Sequence, residues 1–70
     1  MALTEKQIIK ALDRLNGDWP DDLFLFSQSG TLHLMRKGED GNPVVLGSGV
    51  YDQEMIVKSW YDIENDGGDF

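Results

Sequence analysis

The sequence predicts an α+β domain, with one N-terminal helix packed on a four-stranded antiparallel β-meander, and three observations point there. Apolar residues recur with a helical period from Ile8 to Leu15, directly behind a capping residue. From Leu23 the composition changes to strand formers with a period of two. The later apolar runs are separated by short polar, glycine-bearing connections, which suit hairpins better than crossovers.

Thr4 is a strong helix start. Its hydroxyl can accept from the amide of Gln7 while the Gln7 side chain reaches back, the reciprocal arrangement of a capping box. Leu3 and Ile8 fall at staple positions around it. Ile8, Leu12 and Leu15 follow at i, i+4 and i+7, flanked by Ile9 and Ala11, while Lys6, Lys10, Asp13 and Arg14 take the wetter sides. The helix is expected over residues 5 to 15. Asn16-Gly17 tolerates left-handed backbone and Pro20 blocks continuation.

LFLFSQ and TLHLMRK then read as a β-hairpin over 23 to 28 and 31 to 37, with Ser29-Gly30 as a two-residue turn. Counting outward from the turn pairs Gln28 with Thr31, Phe26 with His33, Leu25 with Leu34 and Phe24 with Met35. Alternation sorts Leu23, Leu25, Leu32 and Leu34 onto one face and Phe24, Phe26, His33 and Met35 onto the other. Pro43 to Leu46 is expected as a third strand, because proline is tolerated at a strand's first position. The segment MIVKSWYDI suits either a strand or a helix; its β-branched and aromatic content favours a fourth strand over 55 to 63. Residues 64 to 70 have turn composition and read as an acidic loop or tail.

Seventy residues hold one core and no second domain. With no cysteine there is neither a disulfide nor a thiolate zinc site, which leaves association as the available source of further burial. Thirteen acidic against six basic residues give a net charge of −7, which argues against direct nucleic-acid binding and against an anionic membrane. The N-terminal stretch lacks a continuous apolar run, and none later is long enough to span a bilayer, so a cytoplasmic location is expected.

Motifs for chemistry are sparse. His33 is the one histidine, without a second histidine or a cysteine to complete a metal or nucleophile constellation. No serine sits in a G-x-S-x-G elbow, and the glycines match neither a dinucleotide fingerprint nor a phosphate loop. Asp66-Gly67-Gly68-Asp69 misses the spacing of a calcium loop. These features predict no enzyme, cofactor or metal.

A single short helix shields one face of a sheet, and the leucine set suits an aliphatic helix better. Phe24, Phe26, His33 and Met35, with Trp60 or Tyr61, are therefore expected to form the second face, as a satellite core or as a protein-contact or self-association surface. Asp62, Glu64, Asp66 and Asp69 form an acidic run without a cation, which is solvated or meets something basic. The C-terminal stretch from Tyr51-Asp52 through Ser59 and Ile63 to Asn65-Asp66-Gly67-Gly68-Asp69, ending in the aromatic Phe70, resembles the I-x-x-D-G-G-D-aromatic close of small proteins from tailed phages and prophages, a likeness covering about the last third of the chain. That resemblance implies a small accessory phage product acting in the host cytoplasm. The expected function is a non-enzymatic interaction module that binds a host or phage protein. The alternative is an acidic nucleic-acid mimic, whose carboxylates stand where phosphates would on the target.

Overall fold

Thr4 caps the chain's helix as its sequence requires, accepting from the Gln7 amide at 3.2 Å while Gln7 Oε1 accepts from the Thr4 amide at 2.9 Å. The computed structural model describes residues 2–66. In it α1 runs over Glu5–Asp18, past Asn16-Gly17, and ends where Trp19 turns extended before Pro20. The Asn-Gly pair does not stop the helix: no non-glycine residue there has positive φ, nor has Gly17. The residue before a proline is pushed out of the helical region, which fixes the end instead.

β1 (Leu23–Gln28) and β2 (Thr31–Arg36) pair antiparallel in the register counted from the turn, from Gln28 opposite Thr31 to Leu23 opposite Arg36. Ser29 and Gly30, at φ 50° and 86°, supply the two left-handed residues that match a tight turn to strand twist.

The sheet has three strands rather than four. β3 (Ile56–Trp60) lies directly on β2, with Leu32 opposite Trp60, His33 opposite Ser59, Leu34 opposite Lys58 and, beyond a bulge, Met35 opposite Ile56. Residues 43 to 46 do not enter the sheet. Pro43 brings no amide to a ladder. Gly47-Ser48-Gly49 folds the segment back on itself, with a bridge between Val45 and Tyr51 and a Leu46 amide bonded to the Val50 carbonyl at 2.8 Å. The last segment is a strand, as favoured, but a shorter one: a 3-10 turn over Gln53–Met55, capped by the Asp52 carboxylate, precedes it.

The core lies on the aromatic side of the sheet. Met35 is 2 % exposed and is the fully buried side chain of the described residues. Tyr51, carried in on the folded-back loop, packs edge-on against Phe24 at 5.4 Å and Phe26 at 4.8 Å between ring centroids. The expectation that the helix covers the leucine face, with Leu12 and Leu25 in one core, is corrected. Leu12 is 58 % exposed and Leu25 47 %. Loop 43–52, not the helix, provides the second layer.

Candidate interaction surfaces

Two surfaces follow from this arrangement, one on each side of the sheet. On the aromatic side, cross-strand alternation brings Phe26, His33 and Met35 together with Ile56, Ser59 and Tyr51 around a cavity of about 600 Å³. The His33 ring stacks near Phe26, 6.1 Å between centroids, and its Nδ1 lies 2.6 Å from Ser59 Oγ. A histidine bonded to a serine is the first pair of a nucleophile relay. Among the described residues no carboxylate bonds to the opposite ring nitrogen to orient it, and no group of three or more histidine, aspartate or glutamate residues is placed to hold a metal ion. The pair ties β2 to β3 across the sheet.

The residues expected on that face therefore divide. Phe24, Phe26 and His33 are half-buried against their own chain and Met35 is closed off, so the side chains read as a contact surface largely build the interior. Trp60 lies on the other side, opposite Leu32, with Lys58 Nζ 5.7 Å from its ring centroid. Tyr61, at 75 % exposure, is the aromatic of the set that meets solvent, at the cavity rim.

The leucine side is open. α1 stands off it across a cleft of about 920 Å³, whose floor includes Leu23 and Leu34. Gln7, Lys10, Ala11, Arg14 and Leu15 line that cleft, whereas Ile8, Ile9 and Leu12 do not and are exposed. At 3.6 residues per turn Leu12 lies about 140° around the axis from Gln7. The helix thus turns a mixed flank toward its own sheet, with Ala11 and Leu15 among longer polar side chains, and leaves Ile8, Ile9 and Leu12 outward. Trp19 holds this pose through Nε1, which donates to the Leu23 carbonyl at 2.8 Å.

Asp62, Glu64 and Asp66 are exposed and line a depression beside Gly30 and Tyr61; Asp69 lies outside the described residues. The segment expected as a loop or tail is anchored at Asn65. Its Nδ2 donates to the carbonyls of Gly30 at 3.2 Å and Ile63 at 2.7 Å, and its Oδ1 accepts from Ser27 Oγ. The sequence reading gave Asn65, Tyr51 and Ser59 no place in the site. Ser59 becomes visible as the partner of His33 only when the last strand is laid on β2.

Among the described residues no helix is long and apolar enough to cross a membrane. Comparison of the chain with family models, curated proteins and solved structures finds no match.

Proposed function

We propose that the chain is a non-enzymatic protein-interaction module, a phage-type accessory protein acting in the host cytoplasm, that binds a protein through the outward stripe of α1 and the leucine side of its sheet. The observation that carries this is the uncovered pair: Ile8, Ile9 and Leu12 on the helix are each more than two-fifths exposed and lie outside the cleft, beside a sheet face where Leu25 is open as well. Contiguous apolar surface of this kind is costly to leave in water and marks association sites. The binding surface is therefore moved from the aromatic face to the leucine face. The His33–Ser59 pair, without an orienting carboxylate, supports a cross-strand tie over a catalytic relay.

The test is affinity capture from cells of the native host with the wild-type chain beside Leu12→Glu and the double variant Asp62→Asn, Glu64→Gln. Loss of a bound protein with Leu12→Glu alone supports the apolar surface. Loss with the double variant alone would transfer binding to the acidic segment.

A further inference from the structure

The single chain exposes too much surface for its size. It shows 6158 Å² to solvent, whereas a compact monomer of 7.9 kDa exposes about 4,400 Å². The surplus is about 1,700 Å². Granting Met1 and residues 67 to 70 the full surface of an unfolded chain would account for about 700 Å², which leaves about 1,000 Å² unexplained. The dimensions agree: the radius of gyration is 13.7 Å, against about 11 Å for a compact chain of this length. A standard interface buries about 800 Å² on each partner.

We infer that the chain forms a two-fold dimer in which the Ile8, Ile9 and Leu12 stripe of each copy packs on the leucine face of the other. This rests on the interaction reading above and names the partner as a second copy. The two unpaired surfaces belong to one chain, and a helix of 14 residues, about 21 Å long, can lie along a strand of six, about 20 Å. Within one copy Ile8, Ile9 and Leu12 do not line the cleft over that face, because the short link from Trp19 to Asp22, tied at the Leu23 carbonyl, holds the helix with the flank of Gln7, Ala11 and Leu15 inward. Between two copies both are covered at once, and a two-fold axis closes the assembly.

Charge permits this contact despite the net −7. α1 balances Lys6, Lys10 and Arg14 against Glu5, Asp13 and Asp18, so the excess acid lies elsewhere. Arg36 and Lys58, in register with Leu23 and Leu34, place cations on the receiving sheet for the helix carboxylates.

Because the chain has no cysteine, single introduced cysteines report single contacts. Wild type is sedimented from low to high micromolar concentration beside Leu12→Glu and Val50→Glu. Leu12→Cys and Leu25→Cys are also oxidised, separately and mixed. The expected result is twice the chain mass for wild type and Val50→Glu, and dissociation raised at least 100-fold by Leu12→Glu with its helical circular dichroism retained. The mixed cysteine variants should give a heterodisulfide in excess of either homodisulfide. A predominant Leu12→Cys homodisulfide overturns the helix-on-sheet exchange, and a monomeric wild type at every concentration overturns the dimer. Hydrogen exchange over residues 8 to 15 then separates the two readings. Fast exchange with binding of a hydrophobic dye leaves the surface open to a different protein, so only the dimer fails. Slow exchange without dye binding means the stripe is covered within the chain, and the interaction reading fails with it.

Discussion

Met35 sits where β2, the Phe24 and Phe26 rings and Ile56 of β3 converge, and its burial depends on contacts from all three strands. Truncating a buried methionine costs about 2–5 kcal/mol, transfer and cavity terms together. In a domain of this size that is much of the total stability. Met35→Ala is therefore expected to lower the urea midpoint sharply or to leave the chain unfolded in water. Gly17 should respond in the opposite sense. It lies inside α1 without positive φ, and an added Cβ would meet no atom within 4 Å. Gly17→Ala should stabilise the helix by about 0.5–1 kcal/mol, read as a higher thermal midpoint. Asp40 adds a small acid dependence. The amide and then the side chain of Asn42 donate to its carboxylate, which holds its pKa below the ordinary value of 3.8. A depressed carboxylate contributes stability that is present above its unfolded pKa and lost as pH falls through the folded one. Asp40→Asn should thus flatten a slight loss of stability below about pH 4. At this scale the sequence was informative about Thr4, whose cap is purely local. It was uninformative about Met35, because alternation defines two apolar faces without saying which is covered.

The hairpin is the element most legible in the chain, since a two-residue turn fixes every later pairing and Ser29-Gly30 permits only one count. Its geometry makes Gly30 hard to replace. With φ at 86°, Gly30→Ala places a Cβ in left-handed backbone at a cost of about 1–2 kcal/mol. Such a loss in the denaturation midpoint, with the fold retained, is the expected outcome; no loss would mean that the turn rearranges. The meander failed as an expectation because Pro43 to Leu46 has strand composition but its partner is local. The Val45–Tyr51 bridge closes a short loop, whereas the place beside β2 that a meander would give this segment is taken by β3. That local choice also decides the interior: Tyr51 lands on Phe24 and Phe26, and the aromatics become core. No single-sequence period encodes a loop folding across a sheet, so the candidate surface moved to the opposite face.

At the scale of the whole molecule, an extended shape with an outward apolar stripe ties stability to concentration. A compact monomer unfolds with a midpoint independent of how much protein is present. A dimer that dissociates as it unfolds gains about 1.4 kcal/mol for each tenfold rise in chain concentration, because mass action favours the associated state. The described core contains one fully buried side chain, so in the inferred dimer much of the burial that opposes chain entropy comes from the second copy. Wild type should therefore show a thermal midpoint that climbs steadily with concentration across two decades. Leu12→Glu should abolish that dependence and melt at or below the dilute wild-type value. Met35→Ala tests the same coupling from inside the fold: it should lower the midpoint at every concentration while leaving the slope against concentration in place. A concentration-independent midpoint for wild type would mean that the aromatic core and the loop over it suffice alone, and the outward stripe would then face water without contributing to the fold.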